Sequence, residues 1–320
     1  MHPQVHSSIG RPEALHEDAE LLVGDVTRAE DWDRVLLNVT PDVIVHLAAE
    51  TGTAQSLDEA SRHAKVNVVG TAEMIDALGR HGQRPARVVL ASSRAVYGEG
   101  EWRGENGVFS PGTRSHSQLT LGQWDFPGAS PLPSAAATTP AKPTNVYGAT
   151  KLAQENLIAA WCGAYAVEHT VLRLQNVYGP GQSLINVYTG IVSLFSQWAE
   201  EGLSIPVFED GEIVRDFVYI DDVVSAFAAA IVGSVSGVFD IGSGDSVTLF
   251  EVATMIAAYH GSAQPRVTGE FREGDVRYSS CSIGRSVRAL EWAPEWPIER
   301  GLAALQEWMA EQGLRASSSI

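Results

Sequence analysis

Cysteine, lysine and long apolar runs are the scarce features of this 320-residue chain. Cys162 and Cys281 are its two cysteines; they stand far apart with no CxxC or Cys/His cluster around them, which excludes a disulfide framework and a structural zinc site. No metal is expected. Positive charge is short as well: Lys and Arg number 22 against 39 Asp and Glu, a formal charge of −17 that would repel a nucleic-acid backbone or an anionic bilayer. No apolar run approaches the roughly 18 residues of a membrane span, and the opening Met1-His-Pro-Gln-Val-His-Ser-Ser holds no apolar signal core. These absences point to a reducing cytoplasm and to partners other than nucleic acid or membrane. Glycine is thin at the start too, where Gly10 and Gly24 alone precede Asp25 and residues 1–20 contain no buried-strand run.

What is present is a globular composition, 44% hydrophobic and 19% charged, long enough for about two lobes at roughly 150 residues each. Short β-branched runs alternate with helical patterns, the mark of βαβ units and a parallel sheet. Strands are predicted at Leu21-Leu22-Val23, 43–47, 87–91 and 170–174, with helices near 28–38, 56–81 and 146–165. Near-continuous apolar strands imply a sheet covered on both faces. The fold class is therefore α/β, a Rossmann-like doubly wound parallel sheet over residues 1–180. Residues 181–320 read as a smaller α+β lobe, with a helix near 187–201, short strands at 205–208, 217–220 and 238–241, and helices near 248–260 and 298–312. Residues 99–143, rich in Gly, Pro, Ser, Thr and Ala, read as a long surface insertion.

Chemistry enters with Tyr147-Gly-Ala-Thr-Lys151, which stacks a phenol and an amine on one face at a helix start. A nearby cation favours the phenolate, and such a pair can take or return the proton of an alcohol. With 8 Tyr and only Lys65, Lys142 and Lys151 as lysines, chance alone supplies about 0.1 such match. Upstream, the strand at 87–91 runs into Ser92-Ser93, which puts a hydroxyl at the carboxyl end of a parallel strand, where open α/β sheets keep their ligands.

Seven strings arrive in order: Leu22-Val-Gly-Asp25-Val26, Pro41-Asp-Val-Ile-Val-His46-Leu-Ala-Ala-Glu50, Asn67-Val-Val-Gly70-Thr71, Ser92-Ser93-Arg-Ala-Val-Tyr-Gly98, Tyr147-xxx-Lys151, Leu172-Arg-Leu-Gln-Asn176-Val-Tyr-Gly-Pro-Gly181 and Asp210-Gly-x-x-x-Arg215-Asp-Phe-Val-Tyr-x-Asp-Asp222. Together they resemble the NAD-dependent nucleotide-sugar epimerase/dehydratase family of extended short-chain dehydrogenases, over about residues 20–300. The resemblance implies Ser93, Tyr147 and Lys151 as the catalytic set, with Tyr147 as base and Lys151 lowering its pKa while holding the nicotinamide ribose. It assigns Asp25 and Val26 to adenine, and Leu47, Ala48, Ala49 and Thr51 to the dinucleotide wall. Asn67, Ser92 and Gln175 join the cofactor side. Asn176, Arg215 and Arg272, with Arg277 as a further member, are implied to hold the diphosphate and nucleoside of a nucleotide-diphosphate sugar, a task suited to the planar guanidinium fork. Taken singly, Asp25 reads equally as a turn cap, Asn176 as a loop-amide partner and Arg215 as a surface ion pair.

Dehydratases of the family carry an Asp-Glu pair after the catalytic hydroxyl, where this chain has Arg94 and Ala95, and fucose-synthase-like relatives use a Cys and a His that are not found near these positions. C4 epimerisation through a 4-keto sugar needs only the set above. The segments 48–56 and 92–100 and the long insertion are similar to the dTDP-L-rhamnose 4-epimerase-type branch, which implies a dTDP-6-deoxyhexose. A net reductase or dehydrogenase, and a catalytically silent sugar-nucleotide-binding protein, stand as alternatives. The family's first strand, glycine turn and helix are not found; the comparison implies about 30 to 40 upstream residues, with Met1 in the loop after the second strand. A late start codon, a truncated product, or a compact variant with strand 21–25 beside strand 42–47 would each account for this. A homodimer through helices near 56–81 and 145–165 is also implied.

Overall fold

The computed structural model describes residues 10–12, 14–183 and 190–317. Its centre is a four-stranded sheet of β1 (Val43–His46), β2 (Arg87–Ser93), β3 (Glu168–Leu174) and β4 (Gly237–Ile241), in that order and parallel throughout. Successive side chains of β2 point to opposite faces, and both faces are covered. Val88 and Leu90 meet Ile158 and Cys162 on one side, while Val89 meets Val223, Phe239 and Ile241 on the other. Helices α1 (Ala29–Leu36), α2 (Gly70–Arg80) and α3 (Val146–Tyr165) belong to the first part of the chain, and α4 (Ile191–Glu200) to the later lobe, whose core its buried face joins. The helix expected over 187–201 is α4; residues 184–189, where that expectation begins, lie outside the described residues.

Three expectations are corrected. Leu21-Leu22-Val23 forms no strand: the segment is held by Arg34, whose guanidinium bonds the Val23 carbonyl at 2.7 Å, and Val23 is 74% exposed. An extended run without a ladder partner leaves its amides to solvent and side chains, so the compact variant with this segment beside β1 is not what forms. Second, the run at 238–241 belongs to the central sheet as β4, so the chain returns to the first lobe after residue 180. Third, the helix expected over 56–81 is divided into Gln55–Asp58, Ala60–His63, a π-helical turn at Ala64–Val69, and α2. That turn carries Asn67 inward, fully buried; widened turns of this kind occur where a side chain must be re-aimed.

The later lobe adds α5 (Ile220–Val232), α6 (Leu249–His260), α7 (Gly284–Leu290) and α8 (Ile298–Ser317). α6 begins with a capping box in which Thr248 and Glu251 exchange hydrogen bonds. Phe195, Ile205, Val207, Ile213, Val252, Ile256 and Leu305 close its core. The insertion is ordered. Glu101–Gly104 pairs antiparallel with Gly107–Phe109 and with Ser130–Leu132, and Trp102, 1% exposed, meets the edge of Phe126 at 4.9 Å. It is fastened to the later lobe by Arg114, which donates to Glu209 at 2.8 Å and to the Asp275 carbonyl at 2.9 Å.

Candidate active site

Helix α3 starts because Asn145 accepts the Gly148 amide at 2.8 Å, satisfying an otherwise orphaned donor. Gly148 is required there: a Cβ would lie 2.4 Å from the Ala95 carbonyl oxygen. The helix start thereby presses onto the turn that follows β2, and the Tyr147 phenol comes under the influence of the Ser93 hydroxyl. Ser93 Oγ already accepts the Ala95 amide at 3.1 Å, so its proton is available to a second oxygen. The Tyr147 amide in turn donates to Ser56 Oγ at 3.0 Å.

Lys151, 2% exposed, donates to Gln154 Oε1 at 2.6 Å. From there a neutral chain runs inward. Gln154 Nε2 donates to Thr71 Oγ1 at 2.8 Å, and Thr71 donates to the Asn67 carbonyl at 2.6 Å. Thr71 Oγ1 also lies 2.9 Å from His46 Nε2, which the Gln154 Nε2 amide approaches at 3.2 Å. Burial holds that imidazole down to about 4, hence neutral. Asn67 closes the chain by accepting the Glu50 amide at 2.7 Å and donating to Thr150 Oγ1 at 2.9 Å. Burial also pushes the Lys151 amine down to about 8, against the pull of Glu155.

The phenol is tuned differently from the expectation. Burial raises the Tyr147 pKa, and the two influences that lower it are the Ser93 hydrogen bond and the charge of Arg94. Lys151 is turned to Gln154 instead. Arg94, absent from the expected site set, donates from Nε to Asn176 Oδ1 at 2.7 Å. Burial and the neighbouring Arg215 push it down to about 10.

The other expected residues divide into three groups. On the cofactor side, Val26 lines a cavity of about 180 Å³ with Leu22, Asp25 and Trp32, while the Asp25 carboxylate caps its own turn by accepting the Thr27 amide at 2.9 Å. Leu47, 60% exposed, leads into Ala48, Ala49 and Thr51 at the carboxyl end of β1. Toward the later lobe, Asn176 pairs in register with Phe217, two residues from Arg215, which donates to Asp275 at 2.7 Å. Arg272 lies over the Phe208 ring at 5.0 Å, at the mouth of an apolar slot lined by Phe195, Trp198 and Leu249. The third group is engaged elsewhere. Ser92 donates to Glu155, which Arg173 holds in a bidentate pair at 3.0 and 2.7 Å. Gln175, 5% exposed, is the exception, since neither polar atom of its buried carboxamide has a hydrogen-bond partner. Arg277, named beforehand as a substrate contact, directs its guanidinium to Asp125, Asp210 and Glu209 at 2.8, 2.6 and 3.2 Å, which leaves it joining insertion to lobe. Among the described residues no group of three or more His, Cys, Asp or Glu is arranged to hold a metal, and no helix is long and apolar enough to cross a membrane.

Residues 4–242 match the model of the NAD dependent epimerase/dehydratase family. The chain belongs to that family. It is 52% identical over 98% of its length, and 87% of the relative's, to dTDP-L-rhamnose 4-epimerase of Burkholderia thailandensis. It is 30% identical to UDP-glucose 4-epimerase of Mycolicibacterium smegmatis over 94% of this chain and 88% of that one. The fold superposes on the UDP-glucose 4-epimerase of Thermotoga maritima, solved with UDP-glucose, at a TM-score of 0.75 and 26% identity, covering 95% and 89% of the two chains.

Proposed function

We propose that this protein is an NAD-dependent nucleotide-sugar epimerase that inverts C4 of a sugar nucleotide, with a dTDP-6-deoxyhexose as substrate. The observation that carries this reading is the Tyr147–Ser93 hydroxyl pair at the carboxyl end of β2, facing a wall that holds Arg94, Asn176 and Arg215. The 52% identity with a dTDP-L-rhamnose 4-epimerase supports the substrate class.

NAD suits the residues at both ends of the cofactor side. The apolar cavity at Val26 and Trp32, with Asp25 at its rim, suits an adenine; Lys151 and Tyr147 suit the ribose and nicotinamide. The described residues include no Gly-x-x-Gly-x-x-Gly turn between a strand and a helix. Held there, NAD would supply a reversible hydride acceptor for C4, and the reaction would show no net redox change. Tyr147 takes the C4 hydroxyl proton and gives it back, and Ser93 donates to the same oxygen. Ser93 is thus the partner that stabilises charge on that oxygen, and Arg94 the cation that eases Tyr147 toward phenolate. Asn176, Arg215 and Arg272 anchor the diphosphate and nucleoside while the sugar turns. Arg94 and Ala95 in place of an acid pair speak against elimination of water.

The first lobe would carry the cofactor and the later lobe the nucleotide sugar. The protein works in the cytoplasm as a homodimer, joined through α3 and the segment 55–80. Incubation of the purified protein with dTDP-L-rhamnose tests the reading. Proton NMR should reveal the C4 epimer, absorbance at 340 nm should stay level, and denaturation should release near-stoichiometric NAD. A stoichiometric change at 340 nm would instead identify a reductase or dehydrogenase. Neither product nor released NAD would identify a silent binder.

A further inference from the structure

Arg114, Arg173, Arg215 and Arg277 are buried, and each has a carboxylate partner: Glu209, Glu155, Asp275 and Asp210. Arg94 differs. Its hydrogen bond, from Nε, goes to the neutral amide oxygen of Asn176, and among the described residues it forms no ion pair. The two terminal nitrogens of its fork are therefore left to the cleft. Arg94 is half-buried beside a second guanidinium, Arg215, and the carboxylates that offset the repulsion, Asp275 and Glu99, act on it from beyond ion-pair distance. Asn176 donates its amide to the Asp216 carbonyl at 3.0 Å, next in the chain to Arg215, so Arg94 and Arg215 converge across one asparagine. Two like charges held this way favour an anion between them. A sugar hydroxyl, being neutral, would leave the charge uncompensated.

We propose that Arg94 binds a phosphate oxygen of the substrate's diphosphate, on the phosphate nearer the sugar. Its place in the chain supports the nearer phosphate: Arg94 follows Ser93 directly, at the sugar end of the cleft, whereas Arg272 and the apolar slot mark the nucleoside end. Bidentate pairing of a planar fork with phosphate oxygens supplies the attraction. Arg94 is then the pivot nearest the reacting carbon, and the same charge lies within electrostatic reach of the Tyr147 phenol. This assignment rests on the reading that the cleft takes a sugar nucleotide.

Calorimetric titration of the purified protein with dTDP and with dTMP separates the two claims. Wild-type protein that binds neither would sink the sugar-nucleotide reading and this assignment with it. Given wild-type binding, Arg94→Met should weaken dTDP by about 10- to 100-fold and dTMP by less than about 3-fold, because only dTDP carries the phosphate in question. Arg94→Lys, which keeps charge and loses the fork, should fall in between. Unchanged dTDP affinity in Arg94→Met would overturn the assignment, as would equal losses for both nucleotides, which would mark Arg94 as a prop for Asn176. Should both variants misfold, phenylglyoxal labelling of the wild-type protein decides: dTDP must protect Arg94 in peptide mass spectra and dTMP must not.

Discussion

The two walls of the cleft solve the problem of buried polarity in opposite ways. On the cofactor side His46, Asn67, Thr71, Thr150 and Gln154 are neutral, buried, and matched donor to acceptor, with Lys151 as the cation they hold. On the substrate side the buried groups are ionic: Arg114, Arg215 and Arg277 against Glu99, Glu209, Asp210 and Asp275. A neutral network fixes position and is indifferent to the charge of what arrives. An ionic wall selects by charge, and Arg94, which forms no ion pair among the described residues, is where selection acts.

The comparison is sharpened most by Tyr147→Phe, which removes the acid/base group while keeping the ring. Turnover should fall by about 10² to 10⁴ with dTDP affinity nearly unchanged, measured by NMR rate and calorimetry. A variant that keeps its rate would move the chemistry away from the boundary between the walls. Next in size, Arg114→Met leaves Glu99 buried without its cation and Glu209 with Arg277 alone, and should cost about 3–5 kcal/mol in urea unfolding. A loss under about 1 kcal/mol would mean that the ionic wall is not a buried network in solution. On the neutral side, Gln154→Leu should cost about 1–3 kcal/mol by removing the acceptor of the buried Lys151 amine and one donor to the Thr71 hydroxyl.

The smallest effect concerns pH. Burial raises Glu99 to about 7 despite Arg114, so the folded chain holds a proton that the unfolded chain releases from about pH 4.5. This contribution to stability is complete below that value and is lost as pH rises through about 7. Melting temperature followed from pH 5 to 7.5 should therefore fall more steeply for the wild type than for Glu99→Gln. Parallel curves would show that Glu99 does not titrate there.

Local signals were legible and long-range compensation was not. The helix at 146–165 could be read from its periodicity, and β2 from an apolar run ending in two serines. Arg277 shows the limit. Guanidinium chemistry suits phosphate and carboxylate alike, and its partners at 125, 209 and 210 come together only when the insertion folds onto the later lobe. Arg94 stood in plain view beside Ser93, but its residue type excluded an acid pair without revealing that no carboxylate would meet it. Leu21-Leu22-Val23 has a strand's composition, and composition cannot supply a neighbouring strand. The neutral network around Lys151 was equally hidden, because His46, Thr71 and Gln154 belong to three separate elements.

The π-helical turn at Ala64–Val69 makes the cofactor wall sensitive to chain length rather than to residue type. Excising a single residue there would let the segment wind as ordinary helix and swing Asn67 by about 100°, off the Glu50 backbone and the Thr150 hydroxyl it now joins. A deletion that removes no reactive group would thus unmoor the Lys151 amine, reached from Asn67 through Thr71 and Gln154.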